Sequence, residues 1–230
     1  MPLPADYDFG NASNSWFDWS YIPDHANTIL AAAREHVVLA ALAVAIGFAV
    51  SIPLALLARR SRWRRGAVLG LSNAVYAVPS LAAIVALQPV FGLARWTVVL
   101  PLAAYTLIIL VRNILTGLDD VPAETLESAR GMGLSPAQVL LRVQLPLALP
   151  AVIAGLRIAT VSTIELVVIG GYVGQGGFGA YILEGFRNNF YKAEITTYIL
   201  LTVLLALVAD GLLLGLQRLV TPWQRRRAGP

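Results

Sequence analysis

Four ionisable residues lie inside long apolar runs of this chain: Arg112, Arg157, Glu165 and Asp210. A charge in such a run is costly, so it pairs with an opposite charge, lines a wet cavity or gives up its charge. Arg112 lies near the end of its run, where a long side chain can snorkel to the interface as an anchor. Arg157 and Asp210 each lie about eight residues from the arginine-rich ends of their runs, a shared depth of roughly 12 Å. The matched depth predicts an interhelical ion pair, structural in role and a candidate part of a gate. Glu165 falls about 12 Å further along and roughly 80° round the helix from Arg157, out of bonding reach. Two readings stay open for it: a path-facing carboxylate that attracts a cationic headgroup, or a protonated, hydrogen-bonded core residue. Other reactive sets are missing. With no cysteine, disulfides, thiolate zinc sites and cysteine nucleophiles are excluded. His25 and His36 are too few for a histidine-rich metal site, and no GxxxxGK[ST] loop is present to cradle ATP. No nucleophile–base pair stands out, so an enzyme is not expected.

The elements that must position these residues belong to a bilayer. Only 13% of the 230 residues are charged and 57% are hydrophobic, with mean hydropathy +0.70, whereas soluble domains carry about 25% charged residues. Five runs meet the requirement of about 20 apolar residues for a span: residues 36–58, 66–91, 97–118, 147–173 and 195–217. The second contains Pro79, which removes a backbone donor and kinks or breaks the helix. Broken helices in transporters tend to line cavities, which makes Tyr76, Pro79 and Ser80 candidates for a translocation path beside the reading of a packing kink. Arginines cluster in RRSRWRR after the first run and in QRLVTPWQRRR after the fifth. The positive-inside rule then places the N-terminus outside and the C-terminus in the cytoplasm. The expected fold is all-α and polytopic, with an external segment 1–35 bearing a short interfacial helix over 27–35. A membrane domain 36–218 and a basic cytoplasmic tail 219–230 follow. All five tryptophans fall outside the runs, mostly near their ends, as amphipathic rings prefer.

The largest cytoplasmic loop, 119–146, has an internal pattern. Asp119, Asp120, Pro122 and Glu124 suit a helix start. Leu126, Ala129 and Met132 form an apolar stripe, and Gly131 and Gly133 end the helix. Ser135-Pro136-Ala137-Gln138 is a second start, with a capping serine, proline at the first position and glutamine three residues after the serine. This second helix is expected to run to Pro146. Two short helices joined by a tight turn make a rigid knob suited to a protein contact.

The spacing Glu127-Ser128-Ala129, three residues, Gly133, nine residues, Val143-Gln144-Leu145-Pro146 resembles the EAA loop of ABC importer permeases. In that family the pattern is E-A-A, three residues, G, nine residues, I-x-L-P, so Ser128 and Val143 are conservative departures. The resemblance implies a coupling helix, here Glu127, Ser128, Ala129, Gly131, Gly133, Leu134 and Pro146, that docks on a separate ATPase. It also implies two ATPase copies, a second permease chain (identical or related), an extracellular substrate-binding protein and a bacterial cell membrane. On that reading this chain binds no cofactor and no nucleic acid, and ATP is hydrolysed by the partner. The stretches AVYAVPSLAAIVAL, LPLALPAVIAGLRIATVSTI and VGQGGFG resemble permeases for glycine betaine, choline and related osmoprotectants. Methionine and sulfonate permeases share the EAA loop and stand as alternatives. The glycines of GGYVGQGGFG permit either close packing or a flexible external gate. An ATP-independent secondary transporter would call for inverted repeats or a midplane ion site, and no repeat is visible.

Overall fold

The computed structural model describes residues 14–222. The start of the expected external segment and most of the basic tail, with Trp223, lie outside the described residues. Every regular element among the described residues is helical: α1 (Tyr21–Asp24), α2 (Ala26–Ala58), α3 (Arg62–Tyr76), α4 (Ser80–Phe91), α5 (Trp96–Asp119), α6 (Ala123–Gly131), α7 (Pro136–Val139), α8 (Leu145–Val167), α9 (Phe178–Arg187) and α10 (Lys192–Val220). A π-turn (Leu140–Gln144) joins α7 to α8, and a 3₁₀ stretch (Val168–Val173) extends α8.

Among the described residues, four stretches are long and apolar enough to cross a membrane alone: α2, α5, the continuous run Pro136–Val173, and α10. Helices α3 and α4 make a fifth span only as a pair, bent by 87°. The break falls at Ala77–Pro79, because proline has no N–H to give and its ring pushes Val78 out of helical geometry. Helix α2 begins ten residues before the expected first span. The stretch 27–35, expected as a short helix leading into the first span, forms the first turns of α2, since nothing between Ala26 and His36 breaks a helix.

Contacts divide the chain into two compact units. The first comprises Met1–Ala43, Val78–Leu102 and Ser162–Val208. Its core gathers Tyr21, Ala32, Phe178 and Tyr198, with Tyr181 stacked on Tyr198 at 4.8 Å between ring centroids. The glycine-rich stretch after α8 packs here without side chains. A Cβ on Gly176 would lie 2.6 Å from the Gly171 Cα, and one on Gly177 would lie 2.6 Å from the His36 Cβ. Of the two readings for these glycines, the structure has close packing. His36 is fully buried, its Nε2 2.9 Å from the Ile164 carbonyl and its Nδ1 3.3 Å from the Phe178 amide. An amide only donates and a carbonyl only accepts, so the ring is neutral with the proton on Nε2.

The second unit comprises Val44–Ala77, Ala103–Val161 and Ala209–Pro230. Ala55, Val68, Val111, Leu115, Leu118, Ala148 and Val152 form its core. Small residues bring α5 and α8 together: a Cβ at Gly117 would lie 2.8 Å from the Ala148 carbonyl. Where lipid tails are as apolar as leucine, such close backbone approach is the main source of helix association.

Candidate functional site

The loop after α5 folds as a sealed knob. Helix α6 ends in a paired stop: the Leu134 amide donates to the Ala129 carbonyl at 3.3 Å and the Gly133 amide to the Arg130 carbonyl at 2.9 Å. This double closure needs a left-handed residue at its pivot, and Gly133 supplies it at φ 83°. The next residue but one restarts the helix. The Ser135 hydroxyl accepts from the Gln138 amide at 3.4 Å while the Ser135 amide donates to Gln138 Oε1 at 2.8 Å, which completes the expected capping box.

Two expectations about the knob change. Met132 follows the end of α6 and is exposed, so the stripe of Leu126, Ala129 and Met132 does not form. Ala129 is only 2% exposed, covered by the chain itself and unavailable for contact from outside. Glu127, Ser128, Gly131 and Gly133 stay exposed and Leu134 is half-buried. The second helix also differs: it does not stop at Pro146 but passes through the π-turn into α8. There the Leu145 amide reaches back five residues to the Leu140 carbonyl. Pro146, without an N–H of its own, tolerates that irregular turn at no further loss of a donor.

The arginines after α2, read from sequence only as a topology signal, tie this loop down at both ends. Arg65 Nη1 lies 2.7 Å from Asp119 Oδ2 at the end of α5. Arg59 Nη1 donates to Gln144 Oε1 at 3.1 Å, at the junction with α8. Gln144 is buried, so this bond satisfies a polar group that water does not reach. Nothing in the arginine run distinguished these two from their neighbours.

The intramembrane charges resolve individually. Arg157 and Asp210 form a two-pronged pair, Nε to Oδ1 at 2.8 Å and Nη2 to Oδ2 at 2.8 Å. The guanidinium fork matches the carboxylate, the stronger geometry for such a pair. Arg112 is exposed and lies 3.4 Å from Asn73 Oδ1 on α3, a weak tether rather than a free anchor. Glu165 is exposed on α8 with no hydrogen bond or ion pair among the described residues, so the reading of a hydrogen-bonded core residue falls. At the α3–α4 break, Tyr76 is half-exposed, in edge contact with Tyr105 at 5.8 Å, Pro79 is exposed and Ser80 is half-buried.

Residues 36–226 match the family described as the inner membrane component of binding-protein-dependent transport systems. The chain is 34% identical to the glycine betaine/carnitine/choline transport system permease protein OpuCD of Bacillus subtilis, covering 90% of this chain and 91% of that one. It is also 34% identical to the osmoprotectant import permease protein OsmW of Salmonella typhimurium, covering 88% and 96%. Among solved structures, the inward-facing MetNI methionine ABC transporter superposes with a TM-score of 0.77 at 20% identity, over 86% of this chain and 98% of that one. The last is a likeness of fold. Spans, knob and relatives agree: the chain belongs to the family of inner membrane components of binding-protein-dependent transport systems.

Proposed function

We propose that this chain is the permease of an ATP-driven importer for small quaternary-ammonium osmoprotectants, the compounds named for its relatives. The observation that carries the ATP-driven part is the sealed knob, continuous through the π-turn with the membrane run Pro136–Val173. A force on Glu127, Ser128, Gly131, Gly133 or Leu134 then reaches the span through the closed turn at Gly133 and the helical run that starts at Pro136. The partner pressing there is an ATPase subunit, present in two copies and hydrolysing ATP that this chain does not bind. An external binding protein delivers the solute. The N-terminus lies outside and the basic tail in the cytoplasm, by the arginine asymmetry.

Lipid and a second permease chain, identical or related, cover the apolar face of α10, where Leu204, Leu207 and Leu212 are exposed. Tyr76, Pro79 and Ser80 at the bend and Glu165 on α8 border the translocation path. The Arg157–Asp210 pair locks α8 to α10. Reconstitution of the chain with its ATPase and binding protein in vesicles tests the reading. Uptake of labelled choline or glycine betaine is expected only with ATP and all components present. Equal uptake without the ATPase would sink it.

A further inference from the structure

The stretch ahead of α1 is strapped onto the start of α10. Asn14 donates from Nδ2 to the Phe190 carbonyl at 3.2 Å and accepts from the Lys192 amide at 2.9 Å. Trp16 meets Phe190 edge-on at 6.5 Å, and the Lys192 ammonium stands 5.6 Å from the centre of a Trp16 ring. Behind this strap lies a cavity of about 120 Å³, walled by Trp16, Phe17, Asp18 and Trp19 on one side and by Thr197 and Leu201 on the other. That is room for one small headgroup, well below the roughly 300–1,000 Å³ of pockets that hold drug-sized ligands.

Trp19 and Phe17 are 79% and 63% exposed, so their rings are not used up in packing. Asp18 is fixed at the wall: its Oδ1 accepts from the Ser20 hydroxyl at 2.6 Å and the Ser20 amide at 3.0 Å. The same bonds hold its carboxyl below the usual carboxylate range, so it stays charged. Two free aromatic faces, a fixed carboxylate and an apolar floor are the parts of a cage for a cation that has no N–H to donate. The Trp16 ring already draws one cation, Lys192.

We propose that Trp16, Phe17, Asp18 and Trp19 form an accessory site for a quaternary-ammonium headgroup, separate from the path through the spans. The inference takes its ligand class from the import reading above. The occupant is a trimethylammonium group, brought either by a free solute or by a choline-headgroup lipid. The site holds that group against α10 near the residues Leu200 and Leu204.

The test uses the full-length permease in nanodiscs of phosphatidylglycerol, titrated with tetramethylammonium and choline while tryptophan fluorescence is followed. Saturable quenching is expected, weakened about two- to fivefold in Trp19→Ala, the scale of one cation–π contact at an exposed site. Trp19→Tyr is expected to retain binding, which separates loss of the site from loss of the fold. Replacing all tryptophans by mono- and difluorinated analogues is expected to weaken binding stepwise, which a merely interfacial anchor would not show. Unchanged affinity in Trp19→Ala, or no dependence on fluorination, overturns the site. Repeating the titration in phosphatidylcholine nanodiscs assigns the source. Lost quenching identifies a lipid headgroup and retained quenching a free solute, both consistent with the cage. Uptake by the reconstituted transporter reads out separately: uptake without tetramethylammonium binding rejects the cage alone, and binding without uptake rejects the import reading alone.

Discussion

Arg59 and Gln144, 85 residues apart in the chain, share a hydrogen bond of 3.1 Å at the point where the knob enters the membrane run. With Arg65 and Asp119 at the other end of the loop, the bond makes the turn after α2 a fixed reference for the knob. The turn after α2 is thereby tied to both ends of the loop, at the end of α5 and at the start of α8.

Gln144→Leu removes the acceptor and leaves a part-buried guanidinium without its partner, a loss of roughly 1.5–3 kcal/mol for a bond to a charged donor. Stimulation of ATP hydrolysis by loaded binding protein is expected to fall several-fold in the reconstituted transporter, with insertion intact. Gln144→Glu retains an acceptor and is expected to keep the stimulation. A wild-type response in Gln144→Leu would remove this bond from coupling.

Gly133 is constrained by its backbone and not by crowding: no atom lies within 4 Å of where its Cβ would be, yet φ is 83°. Asn visits this region readily, so Gly133→Asn is expected to support nearly normal transport. Gly133→Val forces a branched residue into it at a cost of about 1–2 kcal/mol, and the paired stop opens. Uptake and crosslinking of residue 128 to the ATPase are expected to fall together. Equal uptake in the two variants would show that the turn geometry is dispensable.

For the Arg157–Asp210 pair, either single neutralisation strands a charge within the apolar runs. Asp210→Asn is expected to lower the thermal midpoint of the detergent-purified chain. The double exchange Arg157→Asp with Asp210→Arg is expected to recover most of it. A double mutant no more stable than the single ones would argue that the pair is adventitious.

Glu165 is exposed on α8 with no hydrogen bond or ion pair among the described residues, and on the reading proposed above it lies beside the path. Glu165→Gln is expected to raise KM for choline, a net cation, several-fold more than for glycine betaine, which is a zwitterion. The comparison is made by uptake into vesicles at one membrane potential. Equal changes for both solutes would leave Glu165 no electrostatic role in selection.

What was readable from sequence is what depends on neighbours along the chain. The apolar runs, the break at Pro79, the capping box at Ser135 and the glycine stop after α6 each follow from a rule spanning a few residues. The Arg157–Asp210 pair was reachable because depth along a helix is itself a local count. Contacts set by three-dimensional placement were not reachable. Arg59 and Arg65 carry the same signature as their solvated neighbours. His36 finds Ile164 and Phe178 more than a hundred residues away, and a lone histidine at the start of an apolar run gives no hint of it. Ala129 was expected outside because its motif position suggested contact, whereas the helix turns it inward.

The π-turn at Leu140–Gln144 amounts to one residue more than a regular helix would hold in the same length. Since successive residues of an α-helix are about 100° apart around its axis, that extra residue sets the angular phase between the knob and the span that follows it. Deleting one residue there would leave helix, knob and span each intact but would swing the knob by roughly a quarter turn. The chain thus encodes the facing of its knob separately from the helices that form it.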